Sequence, residues 1–469
     1  MSESTSAKEL RNRLLYTPKN GHDRIADAEK KKMEAFSRDY RAFIDSAKTE
    51  RECVREVISR AEREGFRSYT PGMAIRAGDK LYLNGYHKSI LLAVIGKKPL
   101  DQGVNLIAAH IDAPRIDVRT MPLYQEGGIC LMKTHYYGGI KKYQWTAMPL
   151  ELVGVVSLRD GTTLRVSIGA DEDDPVFCIT DLLPHLAKDQ MTKTLAEGIP
   201  AESLNVFAGS IPSAADQDGK DRVRLHVLEL LNEKYGIVEE DFISAELTMV
   251  PAFKSRDVGF DRSMIGAYAH DDRCCSFAGL AALFEEKKPA LTTVLMLADK
   301  EEIGSEGISG MQSRFFDTFM QDLCDAQGVS LARCFERSRC ISADVGAATD
   351  PNFPEVSEKR NDPKINLGPV VTKYTGARGK SGASEAPCEM IADMRRIMDE
   401  KDIVWQFGQL GKVDQGGGGT VAMYIANRNI QTLDMGVPVL SMHAPFELIS
   451  KLDLYMTKRA YAAFYAWER

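Results

Sequence analysis

The chain has 469 residues, of which 44% are hydrophobic and 27% charged, with a formal net charge of -7 at pH 7. This composition is typical of a globular protein with a large core and no long disordered segment. The net negative charge argues against a nucleic-acid partner, since such proteins carry clustered positive charge to meet phosphates. No apolar run has membrane-spanning length and residues 1–5 lack a signal-peptide pattern, so we expect a cytoplasmic protein without a membrane partner.

The nine cysteines include no C-x-x-C pair, which argues against a disulfide framework or a thiolate zinc site. The pair Cys274-Cys275 lies near His270 and raises the question of nucleophilic catalysis. However, the pair opens an apolar helical run that ends at Phe284, and no third orienting group is evident. We therefore interpret most of the cysteines as buried small apolar residues.

The N-terminal part predicts helices packed on a sheet. Residues 24–64 carry apolar side chains at helical spacing among charged ones, which predicts one or two helices ending near Gly65. Two strand-like runs, 80–83 and 89–96, flank Asn84-Gly85, a signal for a hairpin turn. A third apolar run, 104–109, follows, and the polar residues His110 and Asp112 come after its carboxyl end.

Region 121–251 differs from the rest because it combines strand signals, loops and a polar stretch. Within it, two strand-like runs flank Asp160-Gly161 and predict a hairpin. Strand and helix signals alternate on both sides of this region, so we predict an inserted β-rich domain at 121–251 between two parts of one catalytic domain, 1–120 and 252–469. The predicted fold class is α/β, with a mixed sheet flanked by helices.

Five segments combine a strand-like apolar run with His, Asp or Glu. Each segment alone is explained by a solvated turn, a helix cap or a satisfied polar residue. As a set they indicate an active site, because active sites of α/β sheets lie at the carboxyl ends of strands. Two imidazoles with several carboxylates suit Zn, Mn or Co, and the number of carboxylates suits two bridged ions. The segments are His110-Ile111-Asp112, His270-Asp271-Asp272, Asp299-Lys300-Glu301-Glu302, Ser342-Ala343-Asp344 and Ser441-Met442-His443.

Two local spacings suggest a division of roles. Side chains that leave a strand in succession point to opposite sides, so one of Glu301 and Glu302 can bind a cation while the other handles a proton. His110 and Asp112 lie on the same side of an extended segment. Asp112 can therefore accept the second imidazole proton of a metal-binding His110 or fix a neighbouring group.

Three further features are open to alternative interpretations. The glycine run 416–419 lacks the Gly-Lys-Ser/Thr ending of a phosphate loop and is interpreted as a tight turn where backbone approaches the site. Lys373, Arg378 and Lys380 either recognise an acidic substrate side chain or remain solvated. The aromatic residues within 452–467 have largely helical spacing, which predicts core packing.

The motifs 109–114, 269–272, 299–305, 342–344 and 441–443 together resemble those of the aspartyl aminopeptidase and aminopeptidase I family of two-metal exopeptidases. The resemblance covers nearly the whole chain, and the motifs follow in the same order. It implies a metallo-aminopeptidase that hydrolyses the N-terminal residue from peptides, using two divalent ions, zinc with Mn or Co as alternatives. It also implies that the inserted domain mediates dimerisation and that dimers assemble into a closed dodecamer.

The resemblance also implies individual roles. One ion would be held by His110 and Asp344, the other by Glu302 and His443, with Asp271 bridging, Glu301 as general base and Asp112 orienting a ligand.

This chain departs from the family pattern at two places. The bridging aspartate is commonly followed by Asn, whereas Asp272 follows Asp271 here. Members resembling the animal enzyme have a Pro-His-Leu-Ala-x-His stretch whose second histidine helps to stabilise the reaction intermediate. Here the stretch 184–189 ends in Asp189 and keeps only His185, so that role is lost, moved or taken by His185.

Two other functions agree with the same residues. One is a different two-metal amidohydrolase, such as a deacylase. The other is a non-catalytic assembly protein whose metal site is structural. The intact Glu301 argues against the second, because a structural site needs no spare carboxylate beside its ligands.

Overall fold

The computed structural model describes residues 7–468. Its α-helices are α1 (Ala7–Leu14), α2 (Asp27–Ser46), α3 (Glu50–Arg63), α4 (Leu195–Gly198), α5 (Arg222–Tyr235), α6 (His270–Glu285), α7 (Phe315–Gln327), α8 (Leu331–Arg337), α9 (Cys388–Glu400), α10 (Ala422–Ala426) and α11 (Lys451–Tyr465). Helices α2 and α3 confirm the helical pattern predicted for residues 24–64. Within 7–468 no helix combines the length and the apolar character that a membrane crossing requires.

The strands form four sheets. In chain order they are β1 (Arg67–Ser68), β2 (Lys80–Gly85), β3 (Ser89–Val94), β4 (Val104–His110), β5 (Arg115–Glu126), β6 (Ile129–Tyr137), β7 (Leu150–Ser157), β8 (Thr163–Ile168), β9 (Val206–Gly209), β10 (Ala245–Pro251), β11 (Arg256–Val258), β12 (Met264–Ala267), β13 (Thr292–Ala298), β14 (Arg339–Ser342), β15 (Gly346–Ala347), β16 (Val370–Thr372), β17 (Gly376–Ala377), β18 (Gln406–Phe407), β19 (Gly417–Gly418), β20 (Gln431–Gly436), β21 (Pro438–Leu440) and β22 (Glu447–Ser450).

The largest sheet has nine strands in the order β1-β2-β3-β13-β4-β14-β20-β16-β18. Its centre, β13-β4-β14-β20, is parallel, whereas β3 and β16 run antiparallel to their central neighbours. Strands β4, β13 and β14 are buried along their whole length, and the sequences of β4 and β13 are accordingly mostly apolar. The predicted α/β class with a mixed sheet flanked by helices is confirmed.

Helices cover both faces of this sheet. On one face α2, α6 and α11 share a core cluster that includes Tyr40, Phe277 and Phe464. On the other face α7 and α8 pack around Phe316 and Phe335. The aromatic residues of the C-terminal helix are buried, so their predicted core packing is confirmed.

A second sheet of six strands, β8-β7-β10-β5-β6-β9, is built from residues between 115 and 251. It has its own apolar cluster, to which α5 contributes. The predicted hairpin is confirmed, because β7 pairs with β8 and Gly161 in the loop has a positive φ of 89°. The division of the chain into an inserted domain and two catalytic parts stays a prediction.

A third sheet of five strands, β11-β12-β22-β21-β15, lies beside the carboxyl ends of the central strands, since β15 and β21 continue the chain just after β14 and β20. The short strands β17 and β19 pair with each other, which joins a loop after β16 to the glycine run.

One predicted turn is wrong in position. Asn84 and Gly85 belong to β2, and the hairpin loop begins at Tyr86 and His87, which have positive φ values of 56° and 63°. The side chain of Asn84 supports the loop by accepting a 2.8 Å hydrogen bond from the backbone N–H of His87. Gly85 is required for packing, because a Cβ there would lie 2.2 Å from Ser89 Oγ.

Candidate metal centre

Three parallel strands bring candidate ligands to one edge of the large sheet. His110 is the last residue of β4 and lies opposite Ala298, the last residue of β13. Glu301 and Glu302 follow β13 in a short 3-10 turn, Glu301–Ile303. Asp344 follows β14, the neighbour of β4 on its other side. The parallel register therefore gathers these side chains around His110.

Two more ligands arrive from the five-stranded sheet. Asp271 lies at the start of α6, four residues after β12, and His443 lies three residues after β21. Strand β22 pairs with both β12 and β21, so the two connections leave the same small sheet close together. All five predicted metal ligands are thus brought into one cluster.

Asp271 lies at the centre of this cluster. Its Oδ1 is 3.1 Å from His110 Nε2, and its Oδ2 is 3.2 Å from His443 Nε2. His443 Nε2 is also 3.5 Å from Glu302 Oε1. Each oxygen of the Asp271 carboxylate therefore faces a different histidine, which is the arrangement that a bridging carboxylate requires.

The donor atoms fall into groups of the size that holds a metal ion. Within each group the atoms lie within 4.8 Å of one another, and Asp271 belongs to two groups, one with His110 and Asp344 and one with Glu302 and His443. A further group joins His110 with Glu301 and Glu302. Imidazole and carboxylate donors are the ligands that zinc binds in catalytic sites.

The buried carboxylates of the cluster repel one another, which favours the binding of cations. Burial, followed by repulsion from Asp271, raises the pKa of Glu302 well above its usual value. Burial raises the pKa of Asp344 in the same way, and neighbouring Glu301 and Asp271 add to it. Glu302 Oε1 is buried and has no hydrogen-bond partner among residues 7–468. Divalent cations would satisfy these charges, so the residues present fit a metal centre.

Asp112 holds the backbone that carries the two glutamates. Its carboxylate accepts hydrogen bonds from the backbone N–H groups of Glu301 and Glu302, each at 3.1 Å. His110 Nδ1 lies 3.2 Å from the carbonyl oxygen of Asp112 and 3.3 Å from its Oδ1. Burial alone would raise the pKa of Asp112, but the hydrogen bond with His110 holds it below its usual value. Asp112 is therefore a charged acceptor that orients both His110 and the glutamate turn.

Glu301 lies close to His110, since donor atoms of the two residues are within 4.8 Å of one another. Its side chain lines the cavity beside the cluster, together with Asp271 and Glu302. Burial raises the pKa of Glu301, although nearby His110 opposes this shift. A carboxylate with a raised pKa beside the ligands has the properties of a general base.

The structure distinguishes Asp271 from Asp272. Both oxygens of Asp272 are buried without a hydrogen-bond partner within the described chain, and they group with the thiols of Cys274 and Cys275 rather than with the histidines. Burial raises the pKa of the Cys274 thiol to about 11. The two cysteines are therefore buried thiols, as predicted, and Asp271 is the aspartate between the histidines.

Four residues in the ligand segments have strained backbone conformations. Ala269, Lys300, Ser441 and His443 have positive φ values of 65°, 71°, 58° and 65°. A non-glycine residue in this region costs about 1–3 kcal/mol and persists where the surroundings enforce it. His443 is itself a predicted ligand, and the other three residues each lie two positions before a predicted ligand, so the surroundings of the cluster enforce this strain.

A cavity of about 750 Å³ opens onto the cluster. The glycine run 416–419 lines it, which confirms the predicted approach of backbone to the site. Arg378 and Lys380 also line it, but Lys380 Nζ lies 3.2 Å from Glu385, and Lys373 Nζ lies 3.5 Å from the same carboxylate. Two of the three predicted cations are thus partly neutralised, whereas Arg378 is not.

His185 is the one predicted site residue that the fold does not bring to the cavity. It lies in the exposed 3-10 turn Pro184–Leu186, which belongs to the region of the six-stranded sheet. The residues that line the cavity do not include it. Within a single chain, His185 has no contact with the metal cluster.

Glu447 is a residue of the site that the motif pattern does not predict. Its two carboxylate oxygens accept hydrogen bonds from the backbone N–H of Asp271 at 3.0 Å and of His443 at 2.6 Å. It therefore holds two ligand segments together from the first residue of β22. The only sequence signal is an acidic residue in front of a short apolar run, which is common at strand ends.

Comparisons with known proteins agree with this geometry. The family model of aminopeptidase I zinc metalloproteases (M18) matches residues 43–465. The chain is 46% identical over 461 residues to a probable M18 family aminopeptidase 1 from Clostridium acetobutylicum, covering 97% of this chain and 99% of the relative. The crystal structure of an M18 family aminopeptidase from Thermotoga maritima has a TM-score of 0.92 at 41% identity, covering 96% of this chain and 99% of that one.

A more distant structure, the S. cerevisiae mApe1 dodecamer, shares the fold with a TM-score of 0.73 at 20% identity, covering 91% of this chain and 95% of that one. The predicted family is therefore confirmed. The chain belongs to the M18 family of aminopeptidase I zinc metalloproteases.

Proposed function

We propose that this M18 aminopeptidase hydrolyses the N-terminal residue from peptides with two divalent ions bound in the cluster. His110 and Asp344 would hold one ion, Glu302 and His443 the other, and Asp271 would bridge them. Zinc is the metal of the family, and Mn or Co would suit the same donors. The observation that carries this proposal is the position of Asp271, whose two oxygens lie 3.1 Å and 3.2 Å from different histidines.

The residues of the chain would divide the chemistry between them. When bound, the two ions would polarise the scissile carbonyl group and acidify the attacking water. Glu301 would take the proton of that water and deliver it to the leaving amine. Asp112 would keep Glu301 and Glu302 in place through their backbone N–H groups. A peptide would enter through the cavity of about 750 Å³ that these side chains line.

Metal removal tests the proposal directly. Dialysis against a chelator should abolish hydrolysis of aminoacyl anilides. Addition of Zn, Mn or Co should restore the hydrolysis, and the restored protein should bind two ions per chain. Unchanged turnover in metal-free protein would contradict the proposal. Parallel assays on N-acyl amino acids separate an aminopeptidase from a deacylase, since the deacylase would cleave only the acylated compounds.

We also propose that the region 121–251 is an inserted domain through which chains form dimers and then a dodecamer. The support is an exposed apolar surface around His185, where Leu186 and Met191 are 68% and 79% exposed. A distant relative with the same fold is a dodecamer. All nine cysteines are free, which suits a cytoplasmic location.

Assembly can be tested with one charged substitution. Leu186→Glu should lower the mass measured by light scattering, because it places a charge on the apolar surface. Phe260→Glu, at an exposed aromatic residue outside region 121–251, is the control. A parent protein that is monomeric at working concentration would contradict the proposed assembly.

A further inference from the structure

The carboxylate of Asp112 has a partner outside the large sheet. Tyr137 Oη donates a 2.8 Å hydrogen bond to Asp112 Oδ2, the same oxygen that accepts from the backbone N–H of Glu302. Tyr137 is the last residue of β6 and belongs to the six-stranded sheet. That sheet therefore reaches the group that orients the glutamate turn.

The ring of Tyr137 is held in a fixed position. The guanidinium of Arg115, on the neighbouring strand β5, lies 4.0 Å from the centre of the ring. Arg115 is itself buried and bonded to Glu50 at 3.1 Å and to Asp117 at 2.8 Å. Because the contact with a buried cation already fixes the ring, the phenol loses little side-chain entropy when its hydroxyl donates a hydrogen bond to one acceptor.

The two residues after Tyr137 lie beside two further candidate ligands. The carbonyl oxygen of Gly139 lies 3.0 Å from His443 Nδ1 and can accept its proton, which leaves Nε2 free to bind a cation. Gly138 has a φ of +76°, and a Cβ built there would lie 3.3 Å from Glu302 Oε2 and 3.4 Å from the Pro114 Cα. The end of β6 thus contacts Asp112 through the Tyr137 side chain, and the backbone that follows bonds His443 and leaves no free space for a Cβ between Gly138 and Glu302.

We propose that the segment 137–139 of the six-stranded sheet positions the metal centre. Tyr137 is a positioning residue that fixes Asp112 and, through it, the turn of Glu301 and Glu302. The backbone at 138–139 fixes Glu302 and the imidazole orientation of His443. This inference rests on the ligand roles proposed above, and it gives region 121–251 a part in catalysis within a single chain.

The first test removes only the hydroxyl group. Tyr137→Phe keeps the ring on Arg115, and the loss of an orienting partner typically costs about 10- to 100-fold in metal affinity or activity. We expect zinc affinity, measured by competition with a chromophoric chelator, to fall within that range. We also expect kcat at saturating zinc to fall, with KM nearly unchanged. Tyr136→Phe, at the adjacent 39% exposed tyrosine, should leave both quantities at the parent values.

A purely structural role predicts a different result. If the Tyr137 hydroxyl only stabilises the fold, Tyr137→Phe lowers the unfolding temperature and leaves kcat at saturating zinc unchanged. That outcome would overturn the inference. A double-mutant cycle with Asp112→Asn adds a second criterion, because a residue acting through Asp112 should have little further effect once Asp112 is replaced. Losses that multiply in the double variant would show that Tyr137 does not act through Asp112.

A matched glycine pair tests the backbone contacts and also decides the matter if Tyr137→Phe does not fold. Gly138→Ala and Gly128→Ala introduce the same strain, since the two φ values are +76° and +80°, but at Gly128 nothing lies within 4 Å of the new Cβ. Only Gly138→Ala should lower zinc affinity and kcat. Equal behaviour of the pair would contradict the inference.

Glu301→Gln separates this inference from the proposed function. If Glu301→Gln loses turnover while Tyr137→Phe and Gly138→Ala match the parent, the positioning role is wrong and the proposed chemistry stands. If the parent itself binds no zinc, the proposed function fails, and the positioning role fails with it.

Discussion

The metal-ligand cluster and the exposed segment 181–195 both contain residues that the family resemblance assigns to catalysis, but they are built differently. The ligands follow strands of two sheets, and Asp271, Asp112 and Glu447 fix them through contacts of 3.1 Å, 3.1 Å and 2.6 Å. The segment around His185 consists of short turns with exposed leucines. A single chain therefore brings the predicted ligands together, whereas it leaves His185 outside the lining of the cavity.

The largest expected effect comes from separating the two glutamates of the cluster. Glu301→Gln keeps the shape of the side chain but cannot accept a proton, so turnover should fall about 10²–10⁴-fold with metal content unchanged. Glu302→Gln removes a charged ligand, so metal content and activity should fall together, and excess metal should recover part of the activity. Metal stoichiometry and turnover measured on both variants check this assignment, and the opposite pattern would exchange the two roles.

His185→Ala tests the other side of the comparison. If a neighbouring chain brings His185 to an active site, kcat of the assembled protein should fall, by at most the roughly 10²–10³-fold typical of losing one group that stabilises the transition state. Leu186→Glu should then cause a similar loss by dissociating the assembly. The control is His135→Ala, at an exposed histidine on β6 in the same region 121–251. Parent-like activity of His185→Ala in an intact assembly would show that the role is lost or moved.

The cluster should also respond to pH through its histidines. Burial alone would lower the pKa of His443, but Asp271 and Glu302 raise it to about 10 in the metal-free protein. Below that pH a metal must displace a proton, so the apparent affinity should rise with pH, by about tenfold per pH unit for each proton displaced. Chelator competition between about pH 6 and about pH 9 measures the slope, and a flat profile would contradict it.

The smallest expected effect concerns substrate choice. Arg378 lines the cavity without the carboxylate partner that Lys373 and Lys380 share, so it is the cation best placed to meet an acidic N-terminal side chain. An exposed ion pair contributes about 0.2–1 kcal/mol, so Arg378→Ala should reduce the preference for Asp- over Leu-anilides only several-fold. Lys359→Ala, at a lysine that does not line the cavity, is the control. No preference in the parent enzyme would show that these charges are solvated loop residues.

Much of the fold and most of the cluster could be predicted from the sequence because they depend on local patterns. The buried strands β4 and β13 are mostly apolar, so both are recognisable as runs, and the polar residues at or just after their carboxyl ends stand out. Parallel pairing then places such ends at one edge of the sheet. The position of the β2–β3 turn was not predicted, because Gly85 is selected by a contact with Ser89 rather than by the turn.

The sequence by itself determined the types of the candidate ligands, their order along the chain and the family of this protein, since all three can be read from short motifs without knowledge of the fold. Only the tertiary structure decided which aspartate lies between the histidines, and that Tyr137 and Glu447 support the centre. The Tyr137–Asp112 and Glu447–Asp271 hydrogen bonds join positions 25 and 176 residues apart. Such contacts leave no local pattern, because a tyrosine or a glutamate acquires its partner only when separate sheets pack against the same edge.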